Sequence, residues 1–203
     1  MTGSSEDPLP GLATGYGALA GQNASAAGVA AAFGRRTGPG RELADRAEQI
    51  AAAAHAMALR FHQGGKLVVF GTGAARTDAQ HVAVEFVHPV IVGKRALPAI
   101  SLTSDAATVT GVAASEGLAN VFAHQIRYLA EQSDIAFGIS PDGNCPSVLG
   151  GMRAASEAGM LTIALAGGHG GVLRTSQHVD YLITAASADP HRWTRSPSSR
   201  PSF

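Results

Sequence analysis

The spacing of apolar positions changes several times along the chain, and each change marks an element. Between Arg41 and His62, the residues Leu43, Ala47, Ile50, Ala54, Met57, Ala58 and Phe61 recur at three- and four-residue intervals. That period predicts an amphipathic helix, which Gly64-Gly65 stops. The pattern then becomes a short unbroken apolar run, Leu67-Val68-Val69-Phe70, which predicts a strand buried on both faces. Comparable runs occur at residues 98–102, 134–139, 161–166 and 181–184, and helical stretches are expected at about 76–87, 106–113, 119–131 and 146–158. Strands alternating with helices predict an α/β fold of three layers, doubly wound, around a five-stranded parallel sheet with an N-terminal helical arm. A ligand of such a sheet sits at the carboxyl ends of its strands.

The flanks read differently. Residues 1–40 are rich in Gly, Ser and Pro at their start and predict a flexible segment. A short helix at 24–34 is expected within it, ended by Arg35-Arg36-Thr37-Gly38-Pro39-Gly40. Residues 41–188 form the predicted domain. Residues 189–203 close on a Ser/Pro/Arg tail, which predicts disorder because its prolines cannot continue a helix.

Composition narrows the function. A length of 203 residues suits one domain with a real core. Net charge is zero, so no basic face is implied and direct binding of nucleic acid is not expected. Hydrophobic residues make up 45% but aromatics only 5%, so Ala, Val, Leu and Ile must build the core. The one cysteine, Cys145, rules out an intrachain disulfide and makes the cytoplasm the expected compartment. Residues 1–23 lack a signal-peptide pattern, no apolar stretch reaches membrane-spanning length, and no membrane partner is expected.

Four constellations carry chemistry. Gly71-Thr72-Gly73-Ala74-Ala75 follows the first strand and opens a helix, where glycines and free amides let a small anion approach. Its spacing is neither a dinucleotide fingerprint nor a P-loop, and a ligand-free tight turn is the alternative. Ser140-Pro141-Asp142-Gly143-Asn144-Cys145 links a later strand to a helix with Pro146 at its first position, and Ser140 or Asn144 acting only as a cap is the alternative. His81 and Glu85, four positions apart, share one helix face. Such a pair can bind a divalent metal or move protons between carbon atoms of a sugar, or can be a surface ion pair. Thr103-Ser104-Asp105 follows the second strand, at the edge where ligands bind, with a loop cap as the alternative.

Taken in order, these features resemble the sugar isomerase (SIS) domain family, most closely its phosphoheptose isomerase branch, over about residues 47–190. The first loop of that family reads Gly-Asn-Gly-Gly-Ser, with an Asp and then His-x-x-x-Glu in the next helix; here stand Gly71-Thr72-Gly73-Ala74-Ala75, Asp78, His81 and Glu85. Its second loop reads Ile-Ser-x-Ser-Gly-x-Ser, matched here by residues 139–145. Ser104-Asp105 matches a Ser-Asp pair after the family's second strand, and Glu157-Ala158-Gly159-Met160 matches a later helix end. The resemblance implies isomerisation of sedoheptulose 7-phosphate to an aldoheptose phosphate through an enediol. It implies Glu85 as general base, with His81 beside it as a catalytic residue. It implies His81 and Glu85 as half of a zinc site. It also implies a sugar phosphate held by Gly71, Thr72, Gly73, Ala74, Ala75, Asp105, Ser140, Asp142, Gly143, Asn144 and Cys145. A homo-oligomer, dimer or tetramer, is implied as well, with sites at subunit interfaces.

The departures matter to function. Ala75, Asp142 and Cys145 stand where the family carries serine, and a carboxylate repels a phosphate by an energy on the order of kilocalories at a few Å. The family's C-terminal helix, with its Gln and His eight positions apart, has no counterpart in the tail, which reads as a truncated or frame-shifted end. His191 does not match that His and is read as an exposed tail residue. Those departures imply a catalytically incomplete site. They keep open a second class, a non-catalytic ligand sensor or assembly factor like the family's DnaA-binding relative, and a third, a protein for a nucleotide-linked or otherwise modified sugar.

Overall fold

A computed structural model describes residues 26–34, 37–91 and 93–185. Three N-terminal helices, α1 (Ala26–Gly34), α2 (Thr37–Ala44) and α3 (Ala47–His62), precede the alternating part. That part runs β1 (Leu67–Gly71), α4 (Ala75–Val87), β2 (Ala99–Ser101), α5 (Ala106–Glu116), α6 (Val121–Leu129), β3 (Ile135–Ser140), α7 (Pro146–Glu157), β4 (Leu161–Gly167) and β5 (Tyr181–Ala185). Short 3₁₀ turns occupy Leu118–Asn120 and Gly171–Thr175. The segment 1–25, residues 35–36 and the tail with Asp189 and His191 lie outside the described residues.

Two expectations at the N-terminal side are corrected. The stretch 41–62 is not one helix but the end of α2 and all of α3, broken at Asp45-Arg46. Arg46 leaves helical geometry (φ −106°, ψ 17°), and its guanidinium donates to the Thr184 hydroxyl on β5. The tertiary contact overrides the helical period. The run 37–40 does not end a helix but starts α2. Pro39 is tolerated there because the amides of a first helical turn have no partner within the helix.

The sheet order is β2-β1-β3-β4-β5, and every pairing is parallel. Strand alternation divides the core in two. Leu67, Val69, Ile135, Ile139 and Ile163 face one layer with Ala53 of α3 and Ala75, Ala79 and Ala83 of α4. Val68, Phe70, Ala136 and Ala164 face the other, against Val112 of α5, Phe122 and Ile126 of α6, and Val148 and Met152 of α7. Alanines at four-residue spacing let α4 lie close on the sheet. With few aromatics available, Phe70 and Phe122 (ring centroids 5.1 Å apart) fill the largest space. No helix among the described residues is long and apolar enough to cross a membrane.

The topology places the site. From β1 the chain steps outward to β2, and from β3 it steps the other way to β4, so the winding reverses between β1 and β3. Gly71 pairs with Ile139, so both strands end nearly level and their following loops emerge side by side. That crevice is where doubly wound sheets bind ligands.

Candidate active site

The β1 loop is shaped by close approach. A Cβ on Gly71 would stand 2.9 Å from the carbonyl oxygens of Ala75 and Ile139, so only glycine lets β1 turn into α4 there. Gly73 has φ +60°, and Ala74 and Ala75 begin the helix without any side-chain cap. Ala75 is fully buried under the turn, so the position where the family has serine is apolar packing here.

The β3 loop is tied to the rest of the crevice by its own polar groups. The Asp142 carboxylate accepts the Asn144 N–H (2.9 Å) and the Ser140 hydroxyl (3.5 Å), folding the acid into its own turn. Ser140 Oγ in turn accepts the Cys145 N–H at 3.4 Å. Asn144 Oδ1 accepts the Val172 N–H (3.0 Å), and Gly143 O accepts the Leu173 N–H (3.1 Å). Loop and 3₁₀ turn are therefore locked together.

Cys145 spans the reversal point. Its sulfur lies 2.9 Å from Thr72 Oγ1 of the β1 loop and 3.2 Å from Ser147 Oγ of α7. Half-burial pushes the thiol up. The hydroxyls of Ser147 and Thr72 and the amides of Val148 and Ser147 at the α7 start outweigh that, and hold it below the ordinary thiol range. Alkylation by iodoacetamide, followed against pH, is expected to show a midpoint below that of a free thiol and to move upward in Thr72→Val. A midpoint at the free-thiol value in both proteins would contradict the Thr72–Cys145 contact.

Asp105 is the N-cap of α5. It accepts the Ala107 and Thr108 amides and, at 2.5 Å, the Thr108 hydroxyl. The Thr108 side chain and backbone hold its carboxyl below the usual carboxylate range. The cap read as the alternative in the sequence is thus present, and it occupies both carboxylate oxygens.

His81 and Glu85 do share a face of α4, with Nε2 and Oε1 3.7 Å apart. Their side chains are 73% and 38% exposed, so the face points away from the sheet. The pair does not line the crevice cavity. That cavity, of about 240 Å³, opens between the β1 loop and α5 and is bounded by Thr72, Arg76, Thr103, Thr110 and the apolar Val109 and Phe122. Glu85 instead borders a separate hollow of about 320 Å³ at the far end of α4, with Pro89, Ile91, Lys94 and Arg95. Among the described residues no three His, Cys, Asp or Glu side chains converge as a metal site. Sequence reasoning missed Thr110 and the Thr72–Cys145 contact. Both depend on pairings across the sheet that spacing does not encode.

The fold and crevice define a doubly wound ligand-binding domain with a Gly-rich turn, a helix-borne His/Glu pair and a second loop across the reversal point. Residues 41–167 match the SIS domain family, and the chain belongs to it. The phosphoheptose isomerase of Solidesulfovibrio magneticus is 41% identical over 66% of this chain and 65% of that protein. The phosphoheptose isomerase of Roseiflexus is 38% identical over 75% of this chain and 76% of that protein. The structure of a phosphoheptose isomerase from Francisella tularensis superposes with a TM-score of 0.73 at 30% identity, covering 79% of this chain and 85% of that one. The alignments thus span about two thirds to three quarters of the length of these curated relatives.

Proposed function

We propose that the chain is a ketose–aldose isomerase of a heptose phosphate, with sedoheptulose 7-phosphate as substrate. The observation that carries this reading is the side-by-side placement of the β1 and β3 loops at the reversal point, in a chain related over that region to proteins named phosphoheptose isomerase. Those names favour the isomerase over an assembly or sensor role.

The chemistry moves one proton between adjacent carbons and one between their oxygens. A base removes a proton from C1 of the ketose, the electron pair forms the C1–C2 double bond, and the carbonyl oxygen at C2 takes a proton to give the enediol. Loss of the proton on O1 makes the new carbonyl at C1, and C2 is protonated. We assign the base to Glu85, the carboxylate that the likeness to the family points to, in a site that its outward face would share with another copy. His81, one turn before it, can orient the carboxylate or carry a proton at a sugar oxygen.

A nitrogen and an oxygen donor on one helix face suit zinc as one edge of a four-ligand site. The other ligands have to come from beyond the described residues or from another copy. Zinc there would polarise the sugar carbonyl. The outward face of the His81–Glu85 pair fits a site completed between copies, so we infer a homo-oligomer, dimer or tetramer, acting in the cytoplasm. Light scattering on the purified chain tests the assembly. An assay of sedoheptulose 7-phosphate with and without added zinc tests the activity, with conversion expected and the zinc-free protein slower.

A further inference from the structure

At the reversal point two walls could receive an anion, and they differ in charge and in free donors. On the β3 side the side-chain hydroxyls are already engaged. The Ser140 hydroxyl and the Asn144 amide serve Asp142. The Cys145 amide serves Ser140. The hydroxyls of Thr72 and Ser147 lie on the Cys145 sulfur. A phosphate placed there meets the Asp142 carboxylate and finds the Ser140, Thr72 and Ser147 hydroxyls already in contact with that carboxylate or with the Cys145 sulfur. On the β1 side lies the cavity of about 240 Å³, whose one charged lining residue is Arg76. Among the described residues the exposed Arg76 guanidinium makes no ion pair or hydrogen bond. Lys94 and Arg95 offer cations elsewhere, but in a hollow shared with Glu85, whose carboxylate offsets them.

We propose that Arg76 is a specificity-determining residue: it holds the phosphate of a phosphorylated sugar in the cavity between the β1 loop and α5, in place of the β3 loop. The planar fork of arginine matches two phosphate oxygens at once, which a hydroxyl cannot do. Thr72 and Thr103 edge the same space, and Val109 and Phe122 keep its floor dry. Exclusion from the β3 side and attraction on the β1 side act together, so the choice rests on the whole crevice and not on the arginine alone. The turnover part of the proposal rests on the isomerase reading; the binding part does not.

The test measures both on the full chain. Inorganic phosphate and sedoheptulose 7-phosphate are titrated calorimetrically into wild type, Arg76→Gln and Arg76→Lys, and KM and kcat are measured for the sugar phosphate. Arg76→Gln is expected to weaken both ligands and raise KM by about ten- to a hundredfold, the loss that goes with one charge-assisted contact, with kcat changed far less. Arg76→Lys is expected to recover part of the affinity. A phosphate affinity that is unchanged in Arg76→Gln and rises in Asp142→Ser puts the anion on the β3 loop and overturns the proposal. Phosphate binding that depends on Arg76 without any turnover supports the proposal and defeats the isomerase reading.

Discussion

Glu85→Gln is expected to lower kcat for heptose phosphate isomerisation by about 10²–10⁴-fold, the share a positioned general base contributes. The amide keeps the size and shape of the carboxylate but cannot accept a proton from carbon. Stability should hardly move. Glu85 is 38% exposed on the outer face of α4, and its contact with His81 is a surface pair at 3.7 Å. Such pairs contribute about 0–1 kcal/mol. Activity and melting temperature therefore separate cleanly in this variant. A kcat equal to wild type would remove Glu85 from the chemistry. Loss of activity together with unfolding would mean that the side chain is structural.

Gly143→Ala is expected to be the most destabilising single change in the crevice. Gly143 has φ +74°, and a Cβ there would stand 1.9 Å from the Gly170 carbonyl oxygen. Nothing flexible can yield, because the opposing atoms are main chain, held by the Gly143–Leu173 and Asn144–Val172 hydrogen bonds. Left-handed backbone alone costs about 1–2 kcal/mol for a residue with a Cβ. Separating the loops adds to it, for about 3 kcal/mol or more and a melting-temperature drop of roughly 10 °C. Gly64→Ala provides the comparison, since Gly64 has φ +87° with open space around its missing Cβ. It should cost the backbone part only. Equal losses in the two variants would show that the β3 loop and the 3₁₀ turn are not packed as described.

The strands were the most legible feature of the sequence. Apolar runs such as Leu67–Phe70 are buried on both faces by the parallel winding, and that burial leaves a continuous signal. Leu67 and Val69 face one helical layer and Val68 and Phe70 the other, so no polar residue interrupts the run. The resemblance to the SIS family was legible for the same reason: its loops follow strands whose ends are easy to place. The break between α2 and α3 was hidden because it is made by Arg46 reaching Thr184, far away in the chain. The site was only half legible. His81 and Glu85 can be paired by helical spacing, and the structure keeps them paired. Which way their face points depends on Ala75, Ala79 and Ala83 packing inward, and no local pattern says what then covers the outward side. The sequence places Asp142 on the loop but does not say where its carboxylate turns; it accepts the Asn144 N–H of its own loop, which keeps its negative charge at the crevice.

The isomerase reading is tested most directly by incubating the purified chain with sedoheptulose 7-phosphate and zinc in heavy water and following the sugar by NMR. Conversion to an aldoheptose phosphate, with deuterium entering at C1 or C2 and both signals lost in Glu85→Gln, is the predicted result. A ketose that keeps its protons and gives no aldose, in a protein that remains folded, would contradict it.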